Sequence, residues 1–445
     1  MNESPETNPV ADDTSPLGAE PVGAVERFAS IDVVRGFALL GILAMNIPVF
    51  ALAAGGKGPS MAATMGGANY PVWVVGYLLL DGKMRSLFAM LFGAGMVLMS
   101  DRAEARGGSA AGLFYRRSAI LLGFGLLHAY LLWSGDILYH YSLSGMVVYL
   151  FRRKSPGALI GLGALALLPG LLIAASLAGY LRVGEAAAAR VAAAEVSGKT
   201  SASVAADRKL ADAARETRKG FESTPEEVAK RRKTFGRGNF GTIFRARARE
   251  SFFVEVFLFP IFMAWDTAGR MLIGMALMKL GYVTGARSRG AYIKLLALGY
   301  GIGLPLVTSA IGWMVSGGFG VAPSFEGLAV NEVASILVAI GHLGALMLVV
   351  KAGAMTWLTS RLAAVGRMAL SNYLSQSILC TTLFYGYGFG LYDRLDRVRL
   401  LGVVALIWAF QLWISPIWLR RFRFGPGEWV WRSLTYGRPQ PLLNG

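Results

Sequence analysis

The sequence predicts an all-α fold: a polytopic membrane helix bundle of about ten transmembrane helices, with both termini cytoplasmic. Three observations carry this. Of 445 residues, 54% are hydrophobic and only 16% charged, where an ordinary soluble domain carries about a quarter charged residues. Stretches 36–56, 118–135, 155–181, 295–325, 333–350, 368–392 and 400–419 contain no Asp, Glu, Lys or Arg, and a helix needs roughly 20 mostly apolar residues to cross the hydrocarbon core. Basic residues crowd alternate connections, as the positive-inside rule demands of cytoplasmic loops.

The expected spans are 31–53, 72–100, 117–134, 136–151, 157–181, 252–280, 293–316, 331–351, 364–387 and 399–419. DGKMR at 81–85 punctuates the second, which shortens to 84–100 if an interfacial piece precedes it. The 56 glycines suit close helix packing in lipid. Residues 1–30 hold six acids against Arg27 alone, with Pro, Ser and Thr and no apolar centre. They read as a disordered tail rather than a secretory signal.

Cytoplasmic connections are marked by Arg102, Arg106, Arg116 and Arg117, by Arg152, Arg153 and Lys154, by Lys279, Arg287, Arg289 and Lys294, and by RRFR at 420–423. The alternate connections offer Lys57 and little else; DRLDRVR at 393–399 is the exception. Five regions follow: the tail 1–30, a five-span half over 31–181, a charged Ala-rich helical insertion outside the membrane over 182–250, a second five-span half over 251–419, and a cytoplasmic interfacial tail over 420–445. In the insertion STPEE gives a helix start, with Thr224 as cap and Pro225 in the first turn. The net charge of +17 is explained by span ends, and no nucleic-acid partner is expected. Cys380 is the only cysteine, which excludes disulfides and thiolate metal clusters. No Walker motif, HExxH, CxxC or nucleophile elbow occurs, so neither a metal nor a tightly bound cofactor is expected.

Charged and polar groups inside spans are costly and mark function or helix pairing. Asp32 and Arg35, at i and i+3, share one face at the mouth of the first span, and Asn46 lies about four turns further along. They could border a cavity; equally, Arg35 could snorkel beside a helix-capping acid and Asn46 could join helices. His128 and Asp136 flank a tight hairpin and can approach each other, as a general base with its orienting carboxylate or as a pair holding the turn. Asp266 and Arg270, at i and i+4, together with His342, Asn372 and Gln376 are further intramembrane polar groups. Each could line a site or glue helices.

RFASIDVVRGFALLGILAMNIPVF, DGKMRSLFAMLFGAG at 81–95, GLLHAYLLWSGDIL at 125–138, GRMALSNYLSQSIL at 366–379 and FGPGEWVWRSLTYGR at 424–438 resemble the YeiB family of bacterial inner-membrane proteins, which includes a domain of unknown function. The match spans nearly the whole chain except the acidic tail and 182–250; Gly427 stands where the family pattern has Leu. The resemblance implies a multi-pass protein of the bacterial inner membrane. The first span also resembles that of heparan-alpha-glucosaminide N-acetyltransferase-type transmembrane acyltransferases, through Asp32, Arg35-Gly36 and Asn46. This implies acyl-CoA as co-substrate, with Asn46 near the transfer centre. The histidine that this likeness leads one to expect after the Asn is missing, since the region reads ALAAGGKGPSM. Either His128 takes its part or the chemistry is absent.

Three functions remain open on the sequence. As an acyltransferase, the chain would bind acyl-CoA at Asp32, Arg35, Arg116, Arg117, Arg152 and Arg153, its phosphates among the bases of that set and Lys154. It would use His128, Asp136 and Asn46 on a small-molecule or glycan acceptor outside. As a transporter, it would line a path with Asp32, Arg35, Asp266, Arg270 and His342. As a scaffold or sensor, it would use 182–250 to bind an envelope partner. The lipid bilayer is the one partner common to all three, and oligomeric state is not legible.

Overall fold

The structure, a computed structural model, describes residues 29–54, 64–198 and 200–444. The expected acidic tail lies outside these residues except for Ala29 and Ser30, which open the first helix, and Lys57 lies outside them too. Among the described residues every element is helical; one isolated bridge joins Phe422 to Leu443. In chain order the helices are α1 (Ala29–Ala51), α2 (Asn69–Leu79), α3 (Lys83–Ala105), α4 (Ala110–Leu127), α5 (Leu138–Val148), α6 (Pro156–Val196), α7 (Ala202–Lys219) and α8 (Pro225–Arg237). Then come α9 (Phe240–Phe253), α10 (Ala264–Lys279), α11 (Arg289–Ser316), α12 (Val321–Ala352), α13 (Thr356–Arg367), α14 (Ala369–Phe384), α15 (Arg397–Arg421) and α16 (Pro426–Tyr436). Wider π-turns extend α4 through His128–Leu132 and join α9 to α10 through Val254–Met263.

Among the described residues, eight helical stretches are long and apolar enough to cross a membrane: Ala29–Ala51, Asn69–Ala105, Ala110–Leu132, Pro156–Val196, Phe240–Lys279, Arg289–Ser316, Val321–Ala352 and Arg397–Arg421. The chain is a multi-pass helical membrane protein. The other two expected spans are helical but short. At 136–151, α5 is 11 residues long and ends in a single 3₁₀ turn. At 364–387 the chain breaks at Met368 (φ −107°, ψ 34°) between α13 and α14. The break is stabilised from outside: the buried Glu428 carboxylate of α16 accepts the backbone N–H groups of Leu370 (2.6 Å) and Ser371 (3.2 Å). An acid at a helix start answers both the orphan donors and the dipole.

Small residues bring the site helices together. A Cβ on Gly36 would collide with the Leu362 carbonyl, and one on Gly366 with the Asp32 carbonyl, so α1 and α13 touch backbone to backbone. This is the close approach that glycine permits in membrane bundles. The second expected span is punctuated at DGKMR, where Gly82 turns at φ +77° between α2 and α3.

Basic loops collect at one end of the bundle. Lys279 Nζ donates to the Lys154 carbonyl (2.9 Å), Arg289 to that of Lys351 (3.2 Å), and Lys351 to that of Gly285 (3.0 Å). At the other end, Asp393 accepts from Ala53 N–H (3.1 Å) and Arg232 (2.8 Å), and Asp396 caps α15. The charged stretch 393–399 is therefore held by the region over 182–250. The Thr224 capping box forms as expected. Helix α6 runs on to Val196, and α9 continues without a break toward α10, so this region grows out of two spans.

Candidate functional site

His128 begins the π-turn at the end of α4. Its Nδ1 lies 2.9 Å from Asp136 Oδ1, an ion-pair distance with the carboxylate off the ideal N–H direction. Its Nε2 lies 2.8 Å from Ser377 Oγ on α14. All three residues are at least 97% buried. Asp136 Oδ2 accepts the Tyr139 N–H (2.6 Å), which fixes the carboxylate at the start of α5. With the tautomer that carries its proton on Nδ1, beside this carboxylate, Nε2 would accept the Ser377 hydroxyl proton. The Tyr373 ring packs against His128 at 4.9 Å between centroids. Its hydroxyl accepts the Ile137 N–H (3.2 Å) and faces the Gly135 carbonyl at 3.5 Å.

A π-turn leaves carbonyls without helical donors, and such turns recur at functional sites. Here α9 supplies the donors. Ser251 Oγ donates to the Ala129 carbonyl (2.9 Å), and the fully buried Arg247 donates to those of Tyr130 (3.1 Å) and Leu132 (2.8 Å). A cation at a helix C-terminus also meets the negative end of the dipole. The region over 182–250 thus ends as the clamp that holds His128 in place.

A cavity of about 320 Å³ reaches Tyr373, whose ring packs on His128; His128, Asp136 and Ser377 themselves do not line it. Its mouth carries Arg35, Arg102, Arg117 and Trp431, its walls are apolar with Phe88, Phe92 and Leu121, and its inner end reaches Ile137, Leu138 and Tyr373. Arg35 also pairs with Asp32 (2.7 Å). The Arg117 guanidinium stacks on Trp431 at 4.2 Å, and the Trp431 indole N–H donates to the Arg117 carbonyl (3.0 Å). Helix α16, expected as an interfacial anchor, therefore forms part of the mouth. Glu428 lines it as well, and burial pushes that carboxyl above its ordinary value, opposed by the donors from Ser371 and Leu370.

The other expected anion-binding residues are dispersed. Arg116 sits beside Gly437 at the end of α16. Arg152 and Arg153 lie at a separate crevice of about 170 Å³, where both pair with Glu104 (3.6 and 3.0 Å). Asn46 is half-buried on α1, does not line the large cavity, and makes no hydrogen bond to His128, Asp136 or Ser377.

Asp266 and Arg270 form an ion pair, and Arg270 also reaches Glu332 (2.8 Å) and Ser86 (2.7 Å). Arg85 approaches Asp266 (3.4 Å) and Glu332 (3.9 Å), closing a set of two acids and two bases in which Asp266 and Arg270 are buried and Arg85 and Glu332 partly so. His342 donates from Nε2 to the Leu79 carbonyl (2.8 Å) and accepts the Tyr300 hydroxyl at Nδ1 (2.6 Å). It thus caps the end of α2. Asn372 bonds the Val365 carbonyl and Ser415, and Gln376 bonds Gln411 (2.9 Å), so both tie α14 to its neighbours. Sequence reasoning missed Ser377, Tyr373 and Arg247. Ser377 lies 249 residues from His128, and no local spacing announces such a pair. The signal available was the polar run SNYLSQS inside a span.

Among known proteins, the family model described as "Protein of unknown function (DUF418)" matches residues 277–438. The chain is 31% identical over 439 residues to the uncharacterized protein YeiB of Escherichia coli (strain K12), covering 94% of this chain and 99% of that one. It is 31% identical over 438 residues to the uncharacterized protein YxaH of Bacillus subtilis (strain 168), covering 96% and 98%. An uncharacterized 39.9 kDa protein of Bacillus acidopullulyticus is 26% identical over 424 residues.

Proposed function

The chain belongs to the YeiB family, and from its site we propose that it is an acyltransferase of the bacterial inner membrane. It moves an acyl group from a cytoplasmic acyl-CoA to a hydroxyl or amine on the far side. The observation that carries this is the cavity: basic at its mouth, apolar along its walls, and ending at the ring that covers His128. An acyl thioester has the same polarity, with anionic phosphates at one end and an acyl chain at the other. Arg35 and Arg117 would take phosphate oxygens through charge-assisted bonds. At about 320 Å³ the space is at the lower end for ligand pockets, so it would admit the acyl arm and leave the nucleotide outside. His128, oriented by Asp136, then serves as the base.

Transport has a different anchor, the Arg85–Asp266–Arg270–Glu332 set, but those charges are paired to each other and none lines the large cavity. The acyl-transfer reading is tested in proteoliposomes supplied with acetyl-CoA or palmitoyl-CoA, with glucosamine offered inside as acceptor. Free CoA thiol should appear with wild type and fall to the empty-liposome rate with His128→Ala. Thiol release by wild type no faster than by empty liposomes would sink the proposal.

A further inference from the structure

Three polar features stand out in the bundle: the paired charges around Arg270, the mouth covered by α16, and the hydroxyl facing His128. The third carries furthest. We propose that Ser377 is a nucleophile, so that the acyl group rests on the protein as a serine ester between donor and acceptor. This rests on the acyl-transfer reading and specifies its chemistry as double displacement.

The placement of the hydroxyl is what argues for it. Serine and threonine hydroxyls in membrane helices ordinarily turn back onto a carbonyl of the preceding turn. On α14, Ser375 does so to Asn372 and Thr381 to Ile378. Ser377 instead faces His128 Nε2 at 2.8 Å, while His128 Nδ1 faces Asp136 at 2.9 Å. A hydroxyl on a base that is itself oriented by a third group is the arrangement that activates a weak nucleophile. The off-axis approach of Asp136 is compatible with a resting site, where such contacts tighten only with substrate bound.

The cavity meets this group from the side a donor would use. Tyr373 lines the inner end, and Ser377 follows it by four residues, one turn further along the same helix face. Movement of the Tyr373 ring would join the cavity to Ser377. Its hydroxyl proton has only a 3.5 Å contact to the Gly135 carbonyl, which leaves it available to a developing oxyanion.

The steps balance. The Ser377 oxygen bonds to the thioester carbonyl carbon while His128 Nε2 takes the hydroxyl proton. The carbon–sulfur bond breaks, and the proton passes to the departing CoA thiolate. An acceptor hydroxyl or amine then attacks the ester carbonyl and its proton goes to His128; the bond between the acyl carbon and the Ser377 oxygen breaks, His128 returns the proton to that oxygen, and the serine is regenerated. No oxidant or reductant is needed.

The experiment uses full-length protein in detergent with acetyl-CoA or palmitoyl-CoA and no acceptor, followed by mass spectrometry of the peptide containing Ser377. We expect a mass increase of one acyl group, removed by hydroxylamine and absent in Ser377→Ala and His128→Ala. Ser377→Ala should bind donor as wild type does yet lose transfer by roughly a hundredfold or more. Ser377→Cys should carry the label as a thioester. Transfer by Ser377→Ala at the wild-type rate, with no label on wild type, would overturn the nucleophile and leave acyl transfer standing as a single displacement. Donor binding, label and transfer all missing from wild type would overturn both.

Discussion

Two buried polar groups in this bundle are built on opposite principles. Around Arg270, every charge meets its counter-charge: Asp266 and Glu332 on one side, Arg85 closing the set, and Ser86 filling a remaining donor. Around His128, one carboxylate, one imidazole and one hydroxyl form a line, next to a cavity with a basic mouth. The first group is closed on itself and joins α3, α10 and α12. The second has a proton to move and a space beside it. Charges in lipid do not by themselves mark chemistry; what matters is whether the partners are all spent on one another.

Breaking each group should separate the two roles. Glu332→Ala leaves Arg270 with an incomplete set of counter-charges. We expect a loss of about 3–5 kcal/mol, the usual consequence of stripping a buried ion of its partner. Reversible unfolding in mild detergent would measure it. The double change Arg270→Met, Glu332→Leu should recover much of that loss. His128→Ala should cost only about 1–3 kcal/mol while removing transfer. Equal destabilisation by Glu332→Ala and His128→Ala would erase the distinction.

A smaller effect sharpens it. Arg247→Ala frees the Tyr130 and Leu132 carbonyls below the π-turn. It should lower stability by about 1.5–3 kcal/mol and reduce transfer, though Arg247 does not hydrogen-bond His128 and does not line the cavity. Restoring the donors with Lys should return part of both. Full transfer by Arg247→Ala would show that the clamp does not position His128.

The smallest effect concerns the mouth. The Glu428 carboxyl is held above its ordinary value by burial, so the folded state keeps its proton to higher pH than the unfolded chain does. Its contribution is therefore complete below the ordinary carboxylate pKa and declines as pH rises through the raised one. Glu428→Gln should flatten the stability profile across that interval, seen as a smaller drop in Tm on going from acid toward neutral pH. An unchanged slope would mean that another group sets it.

Much of the architecture was legible in the sequence because its causes are local. Charge-free runs and alternating basic loops define a membrane bundle, and the tight turn after His128 brings Asp136 to it. The short α5 and the break at Met368 were not legible, because Tyr373 and Glu428 stabilise them from distant parts of the chain. Arg152 and Arg153 look like phosphate ligands in a string of residues, yet Glu104 holds them at another crevice. The partner of His128 was hidden for the same reason: Ser377 is brought to it only by the packing of α14 against α4.

Calorimetric titration of the detergent-solubilised protein with acetyl-, succinyl- and palmitoyl-CoA tests the central claim most directly. The account predicts binding on the order of micromolar by wild type. Arg35→Ala or Arg117→Ala should weaken it roughly tenfold, since each removes a charge-assisted contact, while Arg153→Ala leaves it unchanged. No heat at saturating concentrations of all three would contradict the claim, as would an Arg153→Ala loss equal to that of Arg117→Ala.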